Sequence, residues 1–373
     1  MTTHAAAASN ATEPSNTPTA AEAPVLVSRT GALTRITLNR PAVINALTVP
    51  MLHSITAGLT AAQADGSSAI LLDGAGERGF CGGGDIKRMA GDGPALAEEF
   101  LRTEYRTDYA VHVSPVPVVG VMDGITMGGG IGLTGHAAIR IVTERSRLAM
   151  PEVRIGIVPD VGGHRLLARA PGRLGELLAI TAGSMTAGDA LALGFADYFV
   201  PSTRIGQLSQ RLAAGDDPAL AVEALAEPAP ESMLLRAREW FDPIADEALA
   251  DEHRAPVEAA VLLMRALERG GEAARETART VRLMCPTAVV VTIAQLRHTR
   301  DEGLTLAEVL DDDLRLLPRL MQRDDFLEGV RAAVIDKDGQ PGWKPARIED
   351  VSEDRVARIL APADPGSARF RLV

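Results

Sequence analysis

At 373 residues the chain is long enough for one large or two modest domains with ample core. Its net charge of −11 excludes the basic patches that nucleic-acid binding wants, yet leaves room for an anionic small ligand held by local basic residues. Hydrophobic residues make up 46% and aromatic residues 3%, so the core must be aliphatic.

Residues 1–23, rich in Ala, Thr, Ser and Pro, read as a disordered leader with neither the arginines of a transit peptide nor the apolar stretch of a secretory signal. Val25 to Val27 and Leu33 to Leu38 are expected as strands joined at Thr30-Gly31. A helix follows from Thr48 to about Ala64, with Pro50 in its first turn, and then a strand over Ala69 to Asp73. Pro94 to about Val113 predicts an amphipathic helix with Leu96, Phe100, Tyr105 and Tyr109 near one face. An apolar strand, Val116 to Met122, runs into Gly128-Gly129-Gly130, where a short helix begins. Ile139 to Thr143 and Arg147 to Met150 read as short strands. Helices are expected from Gly163, Leu174 and Ala187, with a strand over Ala196 to Val200.

Strand–turn–helix units recur to about residue 204, which indicates an α/β domain over 24–226. Glu227 to Pro230 reads as a linker. The stretch 227–363 reads as helical, with helices over Ala255 to Arg269, Glu272 to Leu283, Thr287 to Thr299 and Thr305 to Met321, the last opened by a Thr305/Glu308 capping box. A tail, 364–373, closes the chain. Two cysteines, Cys81 and Cys285, make no disulfide framework and fit a reducing compartment such as the cytoplasm. No apolar run reaches the roughly 18 residues of a membrane span.

The chemistry is expected around two glycine clusters. Gly79 to Met89 reads as a strand end, a Gly-rich turn and a helix carrying Lys87 and Arg88; Gly128 to Gly130 forms the second cluster. An oxyanion hole usually needs two donors, and one backbone N–H from each cluster would supply them. Two carboxylates follow, Glu152 and Asp160. A straight strand would hold them roughly 26 Å apart, but Pro151, Gly156, Pro159 and Gly162-Gly163 let the chain bend, so both can face one cavity. From spacing alone, Glu152 reads equally as a surface carboxylate, Asp160 as a helix cap, and Glu104 as a solvated helix residue.

The blocks FCGGGDIK, GITMGGGIGL, MPEVRIG and VPDVGGHRLL resemble the crotonase (enoyl-CoA hydratase/isomerase) superfamily over about Val25 to Leu360. Gly132 stands where hydratases carry one of two catalytic glutamates, and Asp160 where they carry glycine. With the segment Asp325 to Ala346, these features are similar to the branch that hydrolyses 3-hydroxyisobutyryl-CoA. The resemblance implies a spiral of ββα turns followed by a mostly helical C-terminal region. It also implies an oxyanion hole from the N–H groups of Gly84 and Gly129, Glu152 as nucleophile or general base, and Asp160 on the substrate 3-hydroxyl. Glu104 would contact substrate, and Arg40, Lys87 and Arg88 would lie near the coenzyme A phosphates. It implies an acyl-CoA as the small-molecule partner, no metal or redox cofactor, and homo-oligomers in some relatives. A hydratase or isomerase, and a non-catalytic acyl-CoA-binding protein, are the alternatives.

Gly130, Gly132 and Gly135 spell a dinucleotide-binding pattern, but too far from their strand for that turn. Cys81 has no sequence-adjacent histidine to activate it. His164 replaces a glycine of the resembling branch and reads as a helix-start residue or as a group that alters proton traffic.

Overall fold

The structure is a computed structural model that describes residues 23–362 except 92 and 252. The expected tail and all but the last residue of the expected leader lie outside the described residues. The N-terminal part contains strands β1 (Val25–Thr30) and β2 (Leu33–Leu38), α1 (Val49–Ala64), β3 (Ala69–Gly74), α2 (Ile86–Gly91), α3 (Pro94–His112), β4 (Val118–Met122), β5 (Ile125–Met127), α4 (Gly129–Gly135), β6 (Ile139–Val142) and β7 (Arg147–Ala149). It continues with α5 (Gly163–Arg169), α6 (Leu174–Thr181), β8 (Ser184–Met185), α7 (Ala187–Ala192), β9 (Tyr198–Phe199), α8 (Ile205–Ala213) and α9 (Pro218–Glu223). Among the described residues the named elements that follow are helices: α10 (Arg238–Leu249), α11 (Pro256–Arg269), α12 (Glu272–Val281), α13 (Pro286–Glu302), α14 (Leu306–Met321), α15 (Asp324–Val330) and α16 (Glu353–Leu360).

Six strands form one sheet in the order β1-β2-β3-β4-β6-β9, antiparallel at β1–β2 and parallel thereafter. A smaller sheet, β5-β7-β8, lies alongside. β3 and β4 are buried on both faces, as parallel strands covered by helices must be. This arrangement bears out the expected α/β fold. The Thr305/Glu308 capping box closes α14 as expected: each backbone N–H is taken by the other residue's side chain. Thr48 occupies the cap position of α1 but makes no side-chain bond there.

Two expectations need correction. Leu96 does not join the buried face of α3; it is 51% exposed. The face that enters the core carries Phe100, Leu101, Glu104, Tyr105, Asp108 and Val111, so acidic residues are buried where the hydrophobic pattern alone placed only apolar ones. The short strands β5 and β8 were not among the expected elements.

One apolar cluster runs from Val25 to Ile359 and joins strands, α3 and the C-terminal helices. α13 packs on α5 and α6, α14 on α3, and α15 on α2 and the turn after β7. The C-terminal helices therefore wall the region where the glycine clusters lie.

Candidate active site

The first glycine loop is stitched between two partners. Cys81 pairs with Thr126 of β5, through Cys81 N–H to Ile125 O (3.2 Å) and Met127 N–H to Cys81 O (3.0 Å). Leu47 pairs with Gly84 from the other flank, donating to Gly83 O at 2.9 Å and accepting from Asp85 N–H at 2.9 Å. In such a parallel bridge the amide of the middle residue points away from its partner, so the Gly84 N–H faces away from Leu47. Asn45, buried in an irregular turn, holds the arrangement: its side chain accepts from Arg40 N–H and donates to Phe80 O at 2.8 Å. Sequence reasoning missed Asn45, because the carbonyls its amide donates to are 30 to 35 residues away.

A Cβ on Gly83 would lie 3.6 Å from Gly129 N, so the two loops converge. Among the described residues neither the Gly84 nor the Gly129 amide has a hydrogen-bond partner. Gly129 is glycine for a visible reason: a Cβ there would stand 2.1 Å from Glu104 Oε1 and 3.0 Å from Leu47 Cδ1.

Four carboxylates gather around this corner. Glu152 opens a 3₁₀ turn, Glu152–Ile155, and its Oε1 lies 3.1 Å from the position a Gly128 Cβ would take. Glu104 and Asp108 come from one face of α3, four residues apart. Asp160 Oδ2 accepts from Tyr105 Oη at 2.7 Å. All four are buried, and Glu104 Oε1, Glu152 Oε2 and both oxygens of Asp108 have no partner among the described residues. Burial first, and then the charge of their neighbours, pushes Glu104, Asp108 and Glu152 well above the usual carboxylate range. Asp160 is pushed up to about 7, by burial and then by Asp313, with the Tyr105 hydrogen bond acting the other way. Like charges this close do not all ionise together, so the cluster retains protons near neutral pH and can accept and return them.

Asp160 is not a helix cap. Gly162 holds the cap position of α5 and makes no side-chain bond. The turn between them is strained: Val161 has φ 52° and Gly162 φ 73°. A β-branched residue there costs on the order of 1–3 kcal/mol and persists only where the surroundings over-determine it. They do so here. His136 Nε2 lies 3.1 Å from Val161 O, and Gly162 N–H donates to Asp313 Oδ2 at 3.1 Å. Asp313, from α14, also meets His164 Nε2 at 3.0 Å and accepts from Gln295 at 3.2 Å.

The Enoyl-CoA hydratase/isomerase family matches residues 33–360. The chain belongs to this family. It is 36% identical to the 3-hydroxyisobutyryl-CoA hydrolase, mitochondrial, of Gallus gallus over 91% of this chain and 89% of that one. It is 37% identical to the Mus musculus protein of the same name over 93% and 91%. Among solved structures, it superposes on a carnitinyl-CoA dehydratase from Mycobacterium thermoresistibile with a TM-score of 0.84, at 35% identity over 94% of this chain and 99% of that one. On an enoyl-CoA hydratase from Rhodobacter sphaeroides 2.4.1 the TM-score is 0.81, at 39% identity over 91% and 98%.

Gly132 stands where the resemblance places a glutamate in hydratases. A Cβ there would meet Asp108 Oδ2 at 2.6 Å and Val161 Cβ at 2.7 Å, so the space is already filled. Asp108, which sequence reasoning missed, occupies it. The signal was present, since Glu104 and Asp108 share the helical face of Phe100 and Leu101, but acidic residues on a helix ordinarily face solvent.

The remaining expected residues fall into two groups. Lys87 and Arg88 are exposed on α2. The Arg40 guanidinium is engaged within the protein, donating to Ala46 O at 2.5 Å and facing Asp85 Oδ2 at 3.3 Å, so its visible work is to brace the turn before α2. Burial pushes the Cys81 thiol up to about 12, which removes the thiolate a nucleophile needs. Among the described residues no cluster of His, Cys, Asp or Glu has a metal-holding arrangement, and no helix is long and apolar enough to cross a membrane.

Proposed function

We propose that this protein is a thioester hydrolase acting on 3-hydroxyisobutyryl-CoA or a similar short 3-hydroxyacyl-CoA. The thioester oxygen lies between the amides of Gly84 and Gly129, which stabilise the negative charge that builds on it. Glu152, in its carboxylate form after giving its proton to the neighbouring carboxylate cluster, either attacks the carbonyl carbon, giving a mixed anhydride that water then opens, or takes a proton from the attacking water. In both routes the tetrahedral oxyanion collapses, the C–S bond breaks, and coenzyme A leaves as the thiol after gaining a proton. Asp160, poised near neutrality, hydrogen-bonds the 3-hydroxyl and passes that proton. The acyl group leaves as the carboxylic acid. No metal or redox cofactor is required by this route.

The observation that carries the reading is the packing at Gly132. The second glutamate that water addition to an enoyl thioester uses has no room there, while Asp160 with Tyr105 stands beside Glu152. The names of the Gallus and Mus relatives support the same substrate. Valine breakdown is the metabolic setting this substrate implies, and a reducing compartment such as the cytoplasm fits the two free, buried cysteines.

A hydratase is the second reading, favoured by the names of the two solved relatives. One assay separates them: incubation with 3-hydroxyisobutyryl-CoA and with crotonyl-CoA, following free thiol and enoyl absorbance separately. Thiol release from the hydroxy thioester is expected to dominate. Faster hydration of crotonyl-CoA rejects the hydrolase assignment.

A further inference from the structure

A concavity lies behind the turn that carries Asp160 and Val161. It encloses about 390 Å³ between the C-terminal end of α4, the start of β6, one face of α5 and the turn after α7. Its charged and titratable lining is His112, His136, Arg140, Arg165, Arg169 and Asp197. Arg140 is committed internally: it forms two bonds to Asp197 and donates to Gly194 O at 2.6 Å. Arg165 and Arg169 have no carboxylate partner among the described residues. Arg165 is half-buried, and its Nε is fully enclosed with nothing to donate to. Burial first, and then the charges of Arg169 and Arg140 beside it, weaken its hold on its proton. His136 is neutral, pushed down to about 3 by burial, and His112 Nδ1 lies 3.2 Å from His136 O.

Two guanidinium groups side by side, one with an enclosed donor that no described protein group accepts from, repel each other and leave that donor to be met from outside the chain. Arginine in the last turn of a helix can offset the helix dipole, which accounts for Arg169 at the end of α5. It does not account for the enclosed Nε of Arg165, nor for the cavity in front of it. Guanidinium forks match the oxygens of a phosphate in pairs.

We propose that this concavity binds a phosphate dianion, free or as the end of a small phosphate ester, clamped by Arg165 and Arg169. The volume exceeds what one phosphate fills, so there is room for an attached group. The site is distinct from the thioester site; the two share His136, which lines the cavity and holds the Val161 carbonyl next to Asp160.

Isothermal titration of the full chain in chloride buffer tests this, with inorganic phosphate as one arm and ribose 5-phosphate as the other. Saturable binding at one site per chain is expected in at least one arm, and tighter binding of the ester identifies it as the source. The Arg165→Gln/Arg169→Gln double variant should bind about tenfold or more weakly, as loss of charge-assisted bonds requires. The Lys87→Ala/Arg88→Ala variant should bind as wild type does. No saturable uptake by the wild type, equal binding by the arginine double variant, or loss confined to the Lys87/Arg88 variant overturns the proposal. If circular dichroism shows the double variant unfolded, Arg169→Gln alone, at an exposed position, decides: weakening supports the site and unchanged affinity overturns it.

Discussion

His164 Nε2 and Asp313 Oδ1 lie 3.0 Å apart, and neither side chain exposes any surface. The pair joins α5 to α14 beneath the strained turn that carries Asp160. His164 Nδ1 lies 2.8 Å from Thr299 Oγ1, so α13 is tied in as well. Burial alone would lower the His164 pKa; the Asp313 carboxylate reverses that and holds it above its usual value. Asp313 itself is raised, by burial first, against the pull of His164.

The two residues act on Asp160 with opposite sign. Asp313 raises its pKa and His164 lowers it, more weakly. Tyr105 from α3 also acts on Asp160, through its hydrogen bond, while Asp160 in turn raises the pKa of Glu104 and Asp108 from α3 and of Glu152 from the turn after β7. Asp313→Asn should therefore move the midpoint of the kcat/KM pH profile downward, and His164→Gln should move it upward. Shifts of roughly half a unit or more are expected. Whichever protonation state of Asp160 turns over, the directions hold. Variants that only loosen packing would lower activity at every pH without moving the midpoint, and that result would remove the pair from any electrostatic role.

Asp108 gives a stability prediction with a definite sign. Its folded pKa is raised, so the native state binds more protons than the unfolded chain and stability falls as pH rises through that folded value. Asp108→Asn keeps the shape and cannot ionise. Below the ordinary carboxylate pKa of about 3.9, where Asp108 is protonated in both states, the variant and wild type should melt alike. By pH 9 the variant should be ahead by on the order of 1–3 kcal/mol, the usual cost of an unsatisfied buried polar group. A melting-temperature series across this range decides it, and a deficit at pH 9 would show that Asp108 has a partner at high pH.

The packing at Gly132 predicts that a hydratase cannot be made by restoring the glutamate alone. Gly132→Glu must displace Asp108 Oδ2 and the Val161 side chain. Overpacking of this kind costs about 1–3 kcal/mol. The single variant should lose melting temperature and gain no crotonyl-CoA hydration. Gly132→Glu/Asp108→Gly should recover part of the stability. Hydration by the single variant at a rate rivalling thiol release would contradict the account of Gly132.

How much of this was legible beforehand depended on how local the cause was. Gly84 and Gly129 announced themselves as runs of glycine at strand ends, and the fold followed from strand–helix alternation. Glu152 and Asp160 needed the family resemblance, because a carboxylate beside a proline has several ordinary explanations. Asp108 and Asp313 were missed, since a carboxylate buried by tertiary packing looks in sequence like one on a wet helix face, even where, as for Asp108, it shares the face of apolar neighbours. Asp313 meets Gly162 across 151 residues, and nothing in either neighbourhood encodes that meeting. Leu96 failed for the converse reason: the apolar pattern of α3 continued to its first turn, where Ala97 is buried and Leu96 lies on the exposed side.

At Gly129 the amide and the missing side chain can be tested apart. Gly129→Ala keeps the N–H but drives a Cβ into Glu104 Oε1. Gly129→Pro removes the N–H and should cost about 10²–10³ in kcat if that donor holds the oxyanion. Adding Glu104→Ala should restore part of the activity lost in Gly129→Ala and none of that lost in Gly129→Pro. Equal rescue of both would mean that space, not the donor, limits turnover. Circular dichroism must first show that each variant folds, since proline can disturb α4.

Glu152 and Asp160 should prove unequal. In the proposed mechanism Glu152 carries the bond-making step, so Glu152→Gln removes nucleophile and base together while keeping size; turnover should vanish while acyl-CoA still binds. Asp160→Asn can still hydrogen-bond a 3-hydroxyl and Tyr105, but it can neither charge nor pass a proton. General acid–base help is typically worth about 10²–10⁴-fold, so this variant should be slow rather than dead. Its pH profile should also lose the limb near 7 that belongs to Asp160. The Asp160 defect should shrink on thioesters that lack the 3-hydroxyl, because the wild type gains less from Asp160 there. Values of kcat and KM for both variants on hydroxylated and plain acyl-CoA provide the check. If Glu152→Gln keeps more activity than Asp160→Asn, or if the Asp160 defect ignores the hydroxyl, the division of roles between the two carboxylates is wrong.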